Sequence, residues 1–166
     1  VVDHPLLLPL REGVGAGRPD REVLLLGRLA DAAAEVLELA PGLGHGQSVS
    51  AADARAVRAV IEAQLEAFRR DDAPRAFSYA APGIREAFGT PEKFMAMVRE
   101  QYAVVYRPRS VSFEEPLMAG EDLVQPVRIT DGDGRTWMAI YPMAKQPDGS
   151  WRINGCHLAR LPAREA

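Results

Sequence analysis

The spacing of apolar residues changes once along this chain, from a helical period before Tyr106 to a strand period after it. Between Val57 and Phe68 apolar residues recur at every third or fourth position, which is typical of one face of an α-helix. From Ser110 onward they alternate with polar residues, which is typical of strands in a sheet. Helices followed by strands predict an α+β fold, with the helices laid over one face of an antiparallel sheet.

The helical half is predicted to hold one long helix followed by short ones. Ser50 and Asp53 resemble a capping box, so the long helix is expected over residues 51–70. Its buried stripe is predicted to contain Val57, Val60, Ile61, Gln64, Leu65 and Phe68. Shorter helices are predicted over residues 72–80, 82–89 and 90–102, where proline follows a capping residue or glycine can end a helix.

Four strands are predicted in the second half, over residues 110–117, 122–130, 136–145 and 150–161. The turn Asp131-Gly132-Asp133-Gly134 suits a hairpin because its glycines tolerate positive φ angles. Pro147-Asp148-Gly149 marks the next turn. Short connections between consecutive strands predict an antiparallel meander, and so a curved four-stranded sheet under the helices.

The amino-acid composition differs sharply between residues 1–49 and the rest of the chain. All eleven aromatic residues lie at or after Phe68, whereas eleven of sixteen leucines lie in residues 1–49. Aromatic side chains normally contribute much of a core. We therefore predict an appendage over residues 1–49, a domain over residues 50–161 and a tail over residues 162–166.

Within the appendage, an irregular proline- and glycine-rich start is followed by an amphipathic helix predicted over residues 21–40. The apolar stripe of this helix contains Leu25, Leu29, Ala32, Val36 and Ala40. Charged residues interrupt the stretch, so it predicts neither a membrane span nor a signal peptide. The chain as it stands is expected to be soluble and cytoplasmic, and exported only if the true N-terminus carries a leader.

Charge and cysteine content exclude several function classes. The formal net charge is −3, and all of it comes from residues 1–49, which hold seven acids and four arginines. The domain is formally neutral, which argues against nucleic-acid binding. A single cysteine and scattered histidines exclude an intramolecular disulfide framework and predict no metal site. No cofactor is expected.

Four stretches carry a resemblance to a known fold: VRAVIEAQLEAF at residues 57–68, FMAMV at 94–98, YRPRSV at 106–111 and GSWRINGC at 149–156. Together with the element order, they resemble the nuclear-transport-factor-two-like superfamily, a cystatin-like α+β roll. The resemblance is closer to a bacterial domain family of unknown function within it. It implies a cone-shaped roll around a pocket, and frequent dimerisation.

The leading functional hypothesis is a non-enzymatic domain that binds a small apolar or acidic molecule, or a protein partner, through this pocket or a sheet face. The residues expected to bind a ligand are Gln64, Tyr102, Trp137 and Tyr141. The compact pair Arg107 and Arg109 suits a carboxylate or phosphate, although a solvated pair at the strand entrance is the commoner arrangement.

Two alternatives stay open at this point. The first is an isomerase- or dehydratase-like enzyme that uses Tyr102, Glu115 or His157 for acid–base chemistry. Adjacent strand residues point to opposite faces, so Cys156 and His157 are not expected to form a dyad. The second alternative is a structural dimerisation module.

The last strands are apolar on both faces, with Trp137, Ala139, Tyr141 and Met143 alternating with Met138 and Ile140. An antiparallel sheet with helices on one face is normally polar on the other. We therefore expect the second face to be covered, either by a homodimer partner or by the helix over residues 21–40.

Overall fold

A computed structural model of the chain describes residues 4–5, 49–120 and 122–162. The helix expected over residues 21–40 lies outside the described residues. The elements are, in chain order, β1 (His4–Pro5), α1 (Ala51–Arg69), α2 (Ala73–Ser78), α3 (Pro82–Phe88), α4 (Pro91–Gln101), α5 (Ala103–Tyr106), β2 (Ser110–Phe113), β3 (Leu117–Ala119), β4 (Asp122–Thr130), β5 (Thr136–Lys145), β6 (Trp151–Ile153) and β7 (His157–Arg160). This order confirms the predicted α+β class.

Local capping fixes the helix boundaries. Ser50 accepts a hydrogen bond from the Asp53 backbone N–H at 3.1 Å, as the sequence predicts, and α1 begins there. Thr90 does the same for α4 by accepting from the Lys93 N–H at 3.2 Å. Gly89 ends α3 with a φ of 78°, which a residue with a Cβ atom would adopt only under strain.

The sheet is antiparallel and curved, with the strand order β1-β7-β5-β4-β2. Strand β3 also pairs with β4, and β6 also pairs with β5. The longest ladder joins β4 to β5 from Leu123 opposite Met143 to Thr130 opposite Thr136. At its turn, Asp131 accepts hydrogen bonds from the backbone N–H groups of Asp133 and Arg135, each at 2.9 Å.

The prediction of four unbroken strands is wrong in two places. The first strand divides into β2 and β3 around Pro116, which has no N–H to donate to a ladder. The last divides into β6 and β7 around Gly155, whose φ is 149°. Including β1, the described residues form a sheet of seven strands.

The helices pack on one face of the sheet, which we call the inner face. Its apolar residues are Leu123, Val127, Ile129, Ala139, Tyr141, Met143 and Leu158, and they share one core cluster with the helices. Among the helical aromatics, the Phe94 ring lies 5.5 Å from the Phe77 ring and 5.6 Å from the Phe88 ring, centroid to centroid. These contacts hold α2, α3 and α4 together over the sheet.

The junction between α2 and α3 is joined to the sheet by backbone hydrogen bonds. The Ala81 N–H donates to the Ile153 carbonyl oxygen, and the Ile153 N–H donates to the Tyr79 carbonyl oxygen, both at 2.8 Å. Ala80 and Ile153 therefore form a short parallel bridge. The Trp151 indole N–H adds a bond of 3.2 Å to the Asp53 carboxylate at the start of α1.

Candidate functional site

A small cavity lies between the helices and the inner face of the sheet. Three of the four residues expected to bind a ligand meet there, because α1 contributes Gln64, the end of α4 contributes Tyr102 and β5 contributes Tyr141. The other lining residues are Phe68, Ala80, Ile84, Phe94, Val98, Val105, Ile153 and Cys156. Among the described residues, no carboxylate lines this cavity.

Polar atoms in the cavity are held away from water. The Gln64 amide donates to the Ala76 carbonyl oxygen at 3.1 Å. The Tyr141 hydroxyl makes no hydrogen bond of standard distance and angle with the described residues, and its polar neighbour is the Cys156 thiol. Burial raises the pKa of Tyr102 and Tyr141, and it raises the pKa of the Cys156 thiol to about 12. All three groups are therefore protonated near neutral pH.

The free space in the cavity is about 10 Å³. That is the room one water molecule needs, about 10–15 Å³ on the same measure. An apolar ligand of ordinary size needs a pocket of several hundred cubic ångströms. In this conformation the cavity is therefore part of the core and has no room for a small-molecule ligand.

The remaining predicted site residues lie elsewhere. Trp137 is at the start of β5, where its indole N–H donates to the Asp131 carboxylate at 2.9 Å beside the hairpin turn. Glu115 is exposed in the break between β2 and β3. Neither residue lines the cavity.

His157 and Cys156 lie on opposite sides of the sheet. Cys156 lines the cavity, whereas His157 is paired across β7 and β5 with Ile140, whose side chain belongs to a separate apolar cluster on the other face. The structure therefore brings Tyr102 near Cys156 but brings neither Glu115 nor His157 to them. The three candidate acid–base residues do not form one site.

A second, open concavity runs along the surface between α1 and β2, and we call it the α1–β2 groove. Its volume is about 360 Å³. Leu65, Pro108, Val111 and Phe113 contribute apolar surface, while Arg58, Glu62, Glu66, Arg69 and Arg107 contribute charge. The groove was not predicted from the sequence, although the alternation of Val111 and Phe113 close to Arg107 points to a half-buried surface there.

Ion pairs between neighbouring side chains of α1 hold the charged groups along the rim of the α1–β2 groove. Arg58 donates to Glu62 at 2.7 Å and lies over the Phe113 ring, 4.8 Å from its centroid. Glu66 accepts from Arg69 at 2.7 Å and from Arg70 at 2.6 Å. These hydrogen bonds lower the pKa of Glu66 to about 2, so it stays ionised.

Beside Arg107 of the groove, the Asp71 carboxylate accepts hydrogen bonds from three side chains. It accepts from the Tyr106 hydroxyl, from Arg99 at 3.2 Å and from Arg107 at 3.1 Å. The hydrogen bonds from Tyr106 and Arg99 lower the pKa of the Asp71 carboxyl. The Arg107 guanidinium also stacks 4.0 Å from the Tyr106 ring centroid and donates to the Phe68 carbonyl oxygen at 2.7 Å.

The expected pair Arg107 and Arg109 is separated by this arrangement. Arg107 lines the groove, whereas Arg109 is exposed, does not line it, and uses its backbone N–H to bond the Thr130 carbonyl oxygen at 2.8 Å. The described residues contain no group of three His, Cys, Asp or Glu side chains that could hold a metal ion. Nor does any described helix have the length and apolarity needed to cross a bilayer.

In a comparison with known protein families, residues 50–166 match the family described as DUF4864, a domain of unknown function. The chain belongs to this family. Neither the curated proteins nor the solved structures contain a match. The DUF4864 match spans all the described helices and strands except β1.

Proposed function

We propose that this DUF4864 domain is a non-enzymatic binding domain, and that its α1–β2 groove takes an extended, acidic segment of a partner protein. The observation that carries the proposal is the position of β2. This strand forms one wall of the groove and is the last strand of the sheet on that side. An exposed edge strand beside a groove is the usual arrangement for binding a peptide as an added strand.

The backbone of β2 has groups available for such a strand. The Glu114 N–H donates to the Pro126 carbonyl oxygen, so Ser112, two residues earlier, also directs its N–H toward β4. The N–H groups of Val111 and Phe113 then point away from β4. No described strand pairs with β2 on that side. An extended peptide could satisfy these groups by main-chain hydrogen bonds.

The side chains favour an amphipathic peptide of alternating character. Val111 and Phe113 are half-buried, whereas Ser110 and Ser112 are exposed. With Leu65 across the groove, Val111 and Phe113 offer an apolar floor to every second residue of an added strand. The remaining peptide side chains would face the charged rim.

The charge on the rim favours an acidic peptide. Three arginines and two glutamates line the groove, so its formal charge is +1. Arg58 and Arg107 are both about half exposed, at 58% and 46% of the side chain. Exposed ion pairs contribute only about 0–1 kcal/mol, so Arg58 can exchange Glu62 for a peptide carboxylate at little cost.

The other functions considered have less support. A small apolar ligand in the cavity would require the helices to move away from the sheet, since the cavity has room for about one water. An acid–base enzyme in the cavity would need a carboxylate or histidine beside Tyr102 or Tyr141, and the described lining residues include neither. These functions therefore rank below binding in the open groove.

The test measures the fluorescence anisotropy of two labelled peptides with the full chain. One peptide alternates Glu and Val, and the other alternates Lys and Val. We expect binding of the acidic peptide, weakened by salt, and much weaker binding of the basic one. Arg58→Glu should weaken the affinity for the acidic peptide about tenfold, which corresponds to about 1.4 kcal/mol of binding free energy.

Arg55→Glu is the matched control, since Arg55 is also exposed on α1 but does not line the groove. It should leave the affinity unchanged. Hydrogen exchange should also slow at Val111 and Phe113 when the acidic peptide binds. Equal losses from the two variants, equal binding of the two peptides, or binding without protection of these amides would each refute the proposal.

A further inference from the structure

The face of the sheet opposite the helices, which we call the outer face, is buried as well. Residues 123–127 of β4 and residues 138–141 of β5 are buried without interruption. A strand covered on one face alternates between buried and exposed residues, and a strand covered on both does not. The central strands are therefore covered on both faces within the single chain.

The buried residues of the outer face form a contiguous patch across β4, β5 and β7, which we call the outer patch. It consists of Val124, Pro126, Met138, Ile140 and His157. Val124, Met138, Ile140 and His157 are 1%, 4%, 1% and 6% exposed. Of the described hydrophobic residues, only the partly buried Ala119 and Leu161 pack against the cluster of Val124, Met138 and Ile140.

We propose that residues 6–48 of this same chain cover the outer patch, with the amphipathic helix over residues 21–40 as the main contact. The position of the chain on either side of this segment supports the assignment. Pro5 pairs with His157, so β1 brings the chain to the edge of the patch. Val49 leads into α1 at the other end. The connecting segment therefore starts at the outer patch.

The length and pattern of the segment fit this role. A helix over residues 21–40 is about 30 Å long, whereas three neighbouring strands about 4.8 Å apart span about 10 Å. The apolar stripe of this helix consists of Leu25, Leu29, Ala32, Val36 and Ala40. The charged residues Arg28, Asp31, Glu35 and Glu38 lie outside the stripe. The stripe would pack on the outer patch and leave the charges in water.

The same assignment accounts for the uneven composition of the chain. Residues 1–49 are rich in leucine and contain no aromatic residue, so they are poorly suited to a core of their own. They can still supply one aliphatic layer on a sheet that already exists. The assignment is independent of the α1–β2 groove, which lies against the helices on the inner face.

The experiment is methyl NMR on the full chain. In a sample labelled at methionine, leucine and valine methyls, the Met138 methyl should show nuclear Overhauser contacts to Leu25, Leu29 or Val36. A second sample mixes labelled and unlabelled copies, and a filtered spectrum then reports only contacts between copies. We expect these contacts to be absent from the filtered spectrum.

Variants of the full chain give a second measurement. Leu29→Glu should lower Tm by roughly 5 °C or more because it places a charge against the outer patch. Arg28→Glu adds the same residue on the polar face of the helix and should change Tm little. Contacts in the filtered spectrum would instead assign the outer patch to a second copy. Absence of all contacts from Met138 to residues 6–48, or equal Tm changes, would also overturn the proposal.

Discussion

The side-chain amide of Gln125 donates a hydrogen bond of 2.7 Å to the Glu114 carbonyl oxygen. Glu114 donates its own N–H to the Pro126 carbonyl oxygen at 3.1 Å, but Pro126 has no N–H to return. The amide of the preceding residue thus supplies the donor that the proline removes from the β2–β4 ladder. Gln125 is buried, so the bond is shielded from water.

We predict that Gln125→Leu lowers the free energy of unfolding by about 1–3 kcal/mol, because the Glu114 carbonyl loses its buried donor. Pro126→Ala restores a backbone N–H at the next position. In a chain that already carries Pro126→Ala, Gln125→Leu should therefore lower the free energy of unfolding by a smaller amount. A double-mutant cycle by urea denaturation measures this coupling. Gln101→Leu is the control, since Gln101 is exposed, and it should change the free energy of unfolding little. An absence of coupling would show that the Gln125 side-chain amide does not replace the missing backbone N–H of Pro126.

The buried hydroxyl of Tyr141 gives the second prediction. It lost its hydration on folding, and the polar group beside it among the described residues is the Cys156 thiol, which is a weak hydrogen-bond partner. Tyr141→Phe should leave the free energy of unfolding unchanged or raise it by up to about 1 kcal/mol. Tyr79→Phe is the comparison, since the Tyr79 hydroxyl accepts from Arg75 at 3.3 Å. A loss of more than about 1 kcal/mol in Tyr141→Phe would contradict this prediction and show that the Cys156 thiol or a buried water satisfies the hydroxyl.

The third prediction concerns stability in base. Burial raises the pKa of the Cys156 thiol from 9.0 to about 12, so the unfolded chain ionises first. Its stabilising contribution is complete below pH 9 and is lost as the pH rises toward 12. The free energy of unfolding should fall by at most about 1.4 kcal/mol per pH unit from this group.

Cys156→Ala removes that contribution. Between pH 9 and 10 the variant should show a flatter dependence of the free energy of unfolding on pH than the original chain. The range stops at pH 10 because the pKa values of Tyr102 and Tyr141 are also raised, from a starting value of 10.0. Identical slopes for the two proteins would mean that the thiol is not buried in the native state.

The fourth prediction concerns Glu66 on the rim of the groove. Hydrogen bonds from Arg69 and Arg70 lower the pKa of Glu66 from 4.5 to about 2. The stabilising contribution of this lowered pKa is present above pH 4.5 and is lost as the pH falls toward 2. Carboxyl ¹³C NMR should find the lowered pKa directly, and replacing both arginines with alanine should return it toward 4.5. A pKa near 4.5 in the original chain would contradict the two bonds.

Local rules in the sequence predict the helices well. Ser50 caps α1, Thr90 caps α4 and Gly89 ends α3. Each depends on residues fewer than five positions apart, so spacing alone determines it. Helix α5 was not predicted, because its single turn after Tyr102 has neither a capping side chain nor a full apolar period.

The site could be predicted only in part. The stripe of α1 and the alternation along β5 place Gln64 and Tyr141 toward the same core, and both line the cavity. How far the cavity closes depends on how side chains from six elements fill it, which periodicity does not encode. Asp71 was missed for a related reason. Its three donors come from residues 28 to 36 positions away, brought together only by tertiary contact.

The main-chain bridge between Ala80 and Ile153 has a consequence for how the domain opens. The Ala81 N–H donates to Ile153 and the Ile153 N–H donates to Tyr79, so the helical layer cannot lift from the sheet at this point without breaking both backbone hydrogen bonds. Partial opening that frees the helices alone should therefore be rare, and the two layers should behave as one cooperative unit. The amide protons of Ala81 and Ile153 are expected to exchange with solvent only when the whole domain unfolds.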